Sequence, residues 1–345
     1  MSTEQKSQSR FQPLRDFLAQ HERFLLLTHI GPDGDGLLAC VALSRYLKAI
    51  GKHATVVTED KTPVFVAPFD PEGLVRSRED LLAQEDWVER FDACLILDTG
   101  KASRLGRLEE PVKNSGLPLA VVDHHIREED NIDCPSVIDA GAAAVGEMIA
   151  DYLDEEGYPF DDLLITRALM AALVYDTGQF RFTNTSKRTL NWAARLVELG
   201  ASPGEAYSIF WESNGAGSLK LLGTLMSRMA LDCGGRLAWF TLSAQELDRF
   251  GVSRSETEEY ISVPRSIESV EVIAFLSELE NGRIRVSMRS KGRVEIHDVA
   301  RTFGGGGHAF AAGARMRPPL EEAARLITAA LAEKIRNVLG PDQGA

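Results

Sequence analysis

The chain has 345 residues, 44% hydrophobic and 26% charged, a balance typical of a soluble globular protein with room for two domains. Its net charge of -13 weighs against long-duplex nucleic acid as a partner, which needs a basic footprint, and no apolar run approaches the roughly 20 residues of a membrane span. Residues 1–10 are polar without an apolar signal segment, so a frayed tail and a cytoplasmic location are expected, and Cys40, Cys94, Cys134 and Cys233 form no CxxC pair that would suggest a thiolate metal site.

The first half alternates short apolar runs with helical patterns. Residues 24–28 read as a strand, 37–50 have helical spacing, and 54–58 are brief and β-branched. Residues 93–97 and 119–122 are further compact apolar runs, separated by polar, helix-compatible sequence. Such alternation predicts an α/β domain, a parallel sheet covered by helices on both faces. Residues 141–153 and 163–174 read as helices packed on that sheet. A further helix over 186–199 is stopped by Gly200 and Ser202-Pro203-Gly204, which sets the first domain at 11–200. A helical linker is expected over 201–230. A smaller α/β domain follows over 231–340, with strands at 237–242, 270–276 and 284–288 and a closing helix near 320–338.

In a parallel sheet the strands all end on one edge, and ligands bind there. Here they end in chemistry. The first runs into Thr28-His29-Ile30-Gly31-Pro32-Asp33-Gly34-Asp35, the next ends at Asp98, and the next at Asp123-His124-His125; Asp176 follows an apolar helix. Each piece has an ordinary reading. DGDG occurs in turns and calcium loops, although the apolar 37–41 lacks the EF-hand continuation, and an acid like Asp98 is often a helix cap. Brought to one edge, so many carboxylates demand a compensating cation. Mixed imidazole and carboxylate ligands suit Mn2+, with Mg2+ or Co2+ as substitutes. Two such ions can activate a water and clamp a phosphoryl group.

The second half reverses the global charge locally. Arg283, Arg285, Arg289, Lys291, Arg293 and Arg301 are opposed only by Glu295 and Asp298, and Gly304-Gly305-Gly306-Gly307-His308 follows. A glycine run permits backbone conformations that aim successive N–H groups at an anion. Flanked by Arg289, Arg301 and His308, it is expected to form a phosphate cradle.

These motifs resemble a known family. His29-x-x-x-Asp33-x-Asp35, Asp98, Asp123-His124-His125 and Asp176 are similar, in order and type, to the motifs of the DHH phosphoesterases. Arg301 through His308, with Ala311-Ala312-Gly313, resembles the signature of the associated DHHA1 domain, and residues 176–185 resemble the compact oligoribonuclease and pAp-phosphatase branch. The resemblance implies that His29 and Asp33 bind one metal, Asp35, His124 and Asp176 a second, and that Asp98 bridges both. It implies that His125 contacts the scissile phosphate or protonates the leaving oxygen, that Asp123 orients an imidazole, and that Arg289, Arg301, Gly305, Gly306, Gly307 and His308 hold the substrate. The active site would lie in the cleft between the DHH and DHHA1 domains. The implied activity is manganese-dependent hydrolysis of short oligoribonucleotides to mononucleotides, with pAp 3′-phosphatase activity beside it. A phosphodiesterase acting on cyclic di-AMP is the alternative, and a homodimer is compatible with the resemblance. The chain departs from the family pattern at Leu37-Leu38-Ala39 and at Ile126-Arg127-Glu128, neither of which removes a ligand.

Overall fold

The computed structural model describes residues 9–341 other than 85, 214, 280 and 281; the side chains of Ser255 and His308 lie outside that description. The chain divides into two compact units, Met1–Ser213 and Asn214–Ala345. The division falls inside the segment expected as a linker, because its two helices have different apolar partners.

The first unit contains α1 (Gln12–Gln20), β1 (Arg23–Leu27), α2 (Gly34–Ala49), β2 (His53–Thr58), β3 (Val75–Ser77), α3 (Arg78–Leu82), β4 (Ala93–Leu97), α4 (Glu109–Ser115), β5 (Leu119–Asp123), β6 (Ser136–Ile138), α5 (Val145–Glu155), α6 (Leu163–Asp176), α7 (Lys187–Glu198) and α8 (Pro203–Trp211). Its six strands pair in parallel in the order β3-β2-β1-β4-β5-β6. The chain builds outward from β1 to β3, then crosses back to lay β4 on the other side of β1. That reversal places a topological switch point between the loops leaving β1 and β4, where parallel sheets bind ligands.

Both faces of the sheet are covered, as the unbroken apolar runs require. Phe24 and Leu26 pack among α1, α2, α5 and α6, while Leu25 and Leu27 meet Leu81, Leu105, Leu108 and Val112 on the opposite face. Helix α2 is buried from Gly34 through Ser44 because α6 and the sheet enclose it. Helix α8 packs on α6. Helix α1 escapes the sequence reading although its buried Leu14, Phe17 and Leu18 recur at helical spacing, and the three-residue strands β3 and β6 are too short to show a period. Arg10, assigned there to a frayed tail, pairs with Asp139 at 2.5 Å and also with Asp151.

The second unit contains α9 (Ala216–Ser227), β7 (Ala230–Asp232), β8 (Leu237–Leu242), α10 (Ala244–Phe250), β9 (Val272–Glu278), β10 (Ile284–Ser290), α11 (His297–Thr302), β11 (Gly306–His308), β12 (Ala311–Met316) and α12 (Leu320–Leu339). Its sheet runs β11-β12-β10-β9-β8-β7, antiparallel except for the β8–β9 pair. Helix α12 packs against one face through Ile327, Leu331 and Ile335, and α9 and α10 pack against the β8–β9 part of the other through Leu221, Leu225 and Leu247. Among the described residues, no helix is long and apolar enough to cross a membrane.

Candidate metal centre

The loop after β1 turns sharply into α2. Asp33 caps that helix, its Oδ1 accepting from the Asp35 and Gly36 amides at 3.0 and 3.1 Å. Its other oxygen, Oδ2, lies 3.6 Å from His29 Nε2. Gly36 is where the loop comes closest to its neighbours. A Cβ there would lie 2.2 Å from Thr28 Oγ1 and 2.8 Å from Asp98 Oδ2, so only glycine fits. Gly34 is constrained in the same way by Tyr175 and Phe210.

Asp98 follows β4 with φ of 65°, a left-handed conformation uncommon for a non-glycine residue, and its side chain is buried. The two oxygens of this carboxylate face different imidazoles. Oδ2 is 3.2 Å from His29 Nε2, and Oδ1 is 3.3 Å from His124 Nε2. Both histidines are set by their other nitrogen: His29 Nδ1 lies 2.9 Å from the Ile30 carbonyl and His124 Nδ1 3.3 Å from the Ala142 carbonyl. A carbonyl partner fixes the Nδ1–H tautomer and leaves Nε2 as the donor atom directed inward.

On the far side, His124 Nε2 is 3.6 Å from Asp176 Oδ2 and 3.9 Å from Asp35 Oδ2. Asp35 is fully buried, and its oxygens also accept from the Val145 and Gly146 amides at 2.6 and 2.8 Å. It therefore closes the N-terminus of α5, whose own cap position, Ala144, has no side chain to do so. For that reason α5 begins at Val145 rather than at 141. Asn184 holds the last turn of α6 in place, donating to the carbonyls of Asp176 and Ala143 at 3.0 and 3.1 Å. Thr28, Gly36 and Asn184 were not singled out by sequence reasoning. Gly36 stood in view inside Asp33-Gly34-Asp35-Gly36, and Asn184 inside the 176–185 stretch.

Candidate donor atoms fall into overlapping triads, each within 4.8 Å: His29, Asp33 and Asp98; Asp35, His124 and Asp176; and Asp98, His124 and His125. The first two together hold all six predicted ligands, and the third joins them through Asp98 and His124. The donor set fits divalent cations: two imidazoles, four carboxylates and no thiolate. Thr28 Oγ1 is buried and makes no hydrogen bond among the described residues, and buried Asp98 Oδ1 has the imidazole of His124 at 3.3 Å, an environment that suits a cation or its water.

The electrostatics describe the same demand. Burial opposes charge on His29, but Asp33 and Asp98 outweigh it and push the ring up to about 10. Burial likewise disfavours the charged His124, yet Asp98, Asp35 and Asp176 push it up to about 10. Asp98 stays below the usual carboxylate range despite its burial, because His124 and His29 face it. Burial, aided by Asp33 and Asp98, pushes Asp176 up to about 7. Without metal, protons on the imidazoles supply the missing positive charge.

His125 stands apart in role. Its backbone amide and Nδ1 both approach Asp123 Oδ1, at 3.0 and 2.7 Å. Asp123 is buried and anchors the ring through Nδ1.

In the second unit, Arg289 and Gly305 to Gly307 line one groove of about 450 Å3, together with Arg285, Ser287 and Arg315. Arg289 is half-buried, and burial lowers its proton affinity, with Arg285 and Arg265 nearby. Two expectations change here. Arg301 sits exposed in the last turn of α11 and does not line the groove. The glycines form no open nest of amides. The Gly304 amide bonds the Arg301 carbonyl and the Gly305 amide the Ala300 carbonyl, a Schellman closure of α11 with Gly304 at φ 72°. Gly306 and Gly307 then pair with β12. Packing is the reason for glycine at two positions, since a Cβ would meet the Gly313 carbonyl at 2.1 Å from position 305 and the Ala311 carbonyl at 2.5 Å from position 307. The His308 side chain lies outside the described part.

Comparison with known proteins places these observations in a family. The family model described as "DHH family, N-terminal domain" matches residues 23–175, and the model described as "DHHA1 domain" matches residues 238–337. The chain is 33% identical over 232 residues to the bifunctional oligoribonuclease and PAP phosphatase NrnA of Bacillus subtilis, covering 66% of this chain and 71% of that protein. To the protein of the same description from Thermus thermophilus it is 29% identical over 314 residues, 90% of this chain and 89% of that one. Its fold matches an exopolyphosphatase-related protein from Bacteroides fragilis with a TM-score of 0.88 at 22% identity, over 98% of this chain and 99% of the other.

Proposed function

Because the chain belongs to the DHH phosphoesterases, with a DHHA1 domain after the DHH domain, it is a hydrolase of phosphoester bonds, and we propose that it cuts short oligoribonucleotides, linear dinucleotides included, to mononucleotides and also removes the 3′-phosphate of pAp. The observation that carries the reading is Asp98, one buried carboxylate with its oxygens divided between His29 and His124. That division suits a ligand shared by two cations. His29 and Asp33 are assigned to one ion and Asp35, His124 and Asp176 to the other, and the mixed donor set favours manganese. Bound there, the two ions supply an activated water and neutralise charge on the phosphoryl oxygens.

The protein's own groups do the rest. His29 and His124 are held by carbonyls so that Nε2 points to the centre. Asp35 fixes the carboxylate edge to the start of α5. Asp123 holds His125 Nδ1, so that Nε2 is the atom assigned to the leaving oxygen, which it protonates or steadies. Arg289 and the glycine-lined groove of the second unit are assigned to a substrate phosphate, with His308 beside them in sequence; the resemblance alone speaks for Arg301. Short RNA and small nucleotides are the partners this reading names.

A product time course with manganese tests it, comparing an RNA dinucleotide, a 5-mer, pAp and cyclic di-AMP. Fastest turnover of the dinucleotide, abolished by chelator, is the expected result. Fastest turnover of cyclic di-AMP would replace the oligoribonuclease reading, and chelator-insensitive turnover would remove the two-metal one.

A further inference from the structure

A run of aromatic rings leads away from the metal centre within the first unit. Tyr207 and Trp211 stand four residues apart on α8, hence on one face, and their rings stack at 5.3 Å with 26° between planes. Trp211 leans on Tyr175 at 5.9 Å and 25°, and Phe210 meets Tyr175 edge-on at 4.9 Å. Tyr175 directly precedes Asp176 at the end of α6. Phe210 and Tyr175 also close over Gly34, where a Cβ would lie 2.6 and 2.7 Å from their rings. Gly34 separates Asp33 from Asp35. The ladder therefore starts against two candidate metal ligands and runs outward, with Trp211 half-buried and Tyr207 39% exposed.

Core packing accounts for the inner rungs, since Phe210 and Trp211 lie against the hydrophobic core, whereas Tyr207 at the outer end leaves much of its area in water. Single exposed apolar residues are ordinary, but Tyr207 ends a column of nearly parallel stacked rings that starts against the charged site. An exposed end of such a column beside a phosphate-binding centre takes a nucleobase by stacking, with little preference among bases because every base has a π face.

We propose that Tyr207 and Trp211, backed by Tyr175, form a stacking platform for one nucleobase of the substrate whose scissile phosphate lies at the metal centre. The platform determines specificity: it favours base-bearing phosphoesters over base-free ones and does not discriminate strongly among bases. This inference rests on the phosphoesterase reading above.

Kinetics of the full-length, manganese-loaded protein test it, using an RNA dinucleotide and a matched dinucleotide with one abasic ribose. The platform predicts that Trp211→Ala and Tyr207→Ala each raise KM for the RNA dinucleotide about tenfold while kcat changes far less. The preference for the base-bearing substrate should fall correspondingly, and Trp211→Phe, which keeps a ring, should restore most of it. A second readout is independent of turnover. AMP, but not ribose 5-phosphate, should quench tryptophan fluorescence of the metal-free protein, and Trp211→Phe should abolish the quenching. Unchanged KM in both alanine variants overturns the platform, as does an equal loss that phenylalanine fails to rescue. If the wild type cleaves neither dinucleotide, the phosphoesterase reading falls instead. Base-specific quenching then still supports the platform, and its absence removes it.

Discussion

Gly36→Ala is the smallest change that should impair the centre. In the first turn of a helix, alanine is intrinsically favoured over glycine by roughly 0.5–1 kcal/mol, so propensity alone predicts a gain. Local packing reverses the sign. The added methyl would lie 2.2 Å from Thr28 Oγ1, 2.8 Å from Asp98 Oδ2 and 2.9 Å from Asp98 Cβ. To restore ordinary contact, the hydroxyl must retreat by about 1 Å and the carboxylate by a few tenths, an overpacking that costs about 1–3 kcal/mol. Net stability should fall by about 1–2 kcal/mol, a shift of a few degrees in Tm. Catalysis should fall as well, because Asp98 faces both imidazoles: if a displacement of about 1 Å costs about a hundredfold in rate, a shift of a few tenths should cost roughly fivefold to tenfold. Steady-state hydrolysis of an RNA dinucleotide, manganese titration by calorimetry and a thermal melt separate the two effects. The double variant Thr28→Ala/Gly36→Ala removes the hydroxyl contact and leaves the overlap with Asp98, so it should regain stability without regaining the rate. A Gly36→Ala protein with normal kcat and manganese affinity would refute the reasoning.

Asp98→Asn should lower kcat about a thousandfold, about 4 kcal/mol of transition-state stabilisation, with an unchanged circular dichroism spectrum; retention of most activity would argue against a shared ligand. Removing metal should make stability depend on pH. His29 and His124 are pushed up to about 10 in the folded protein, above an unfolded value near 6.5, so their stabilisation is complete below about 6.5 and is lost as pH rises towards 10. Melts in EDTA should therefore show Tm falling between about pH 6 and 9. Excess manganese displaces those protons and should flatten the slope; parallel curves with and without metal would contradict the assignment. Arg289→Ala should raise KM about tenfold with little change in kcat, the expected loss of one charge-assisted hydrogen bond, and an unchanged KM would remove the groove from substrate binding.

The fold was legible because unbroken apolar runs such as 93–97 can only be central strands covered on both faces. The convergence of His29, Asp33, Asp98 and His124 followed from parallel strands all ending on one edge. Segments governed by contacts distant in sequence were not legible. The start of α5 depends on Asp35, 110 residues earlier, so helical periodicity placed it four residues early. The glycine run was misread for a related reason. Gly305 and Gly307 are required by the approach of β12, and a strand pairing is invisible in a run with no side chains. Arg301 shares its stretch with Arg289, but α11 carries it out to solvent while β10 holds Arg289 in the groove.

Asp35 ties the centre to the fold more closely than its place in a motif suggests. A carboxylate that served only as a ligand could be lost with the structure intact, as expected for Asp98→Asn. Asp35 also satisfies two amides at a buried helix start, and Gly146 lies so close that a Cβ there would sit 3.3 Å from Asp35 Oδ1 and 2.5 Å from the Ala172 methyl. Burial and the charges of Asp98 and Asp176 push its proton affinity well up, while the amides favour the ionised form. Metal would relieve that tension by neutralising the repulsion without displacing the hydrogen bonds. The N-terminus of α5, a fixed positive pole within the protein, then acts as a permanent counter-charge that keeps the acidic cluster assembled before any cation arrives.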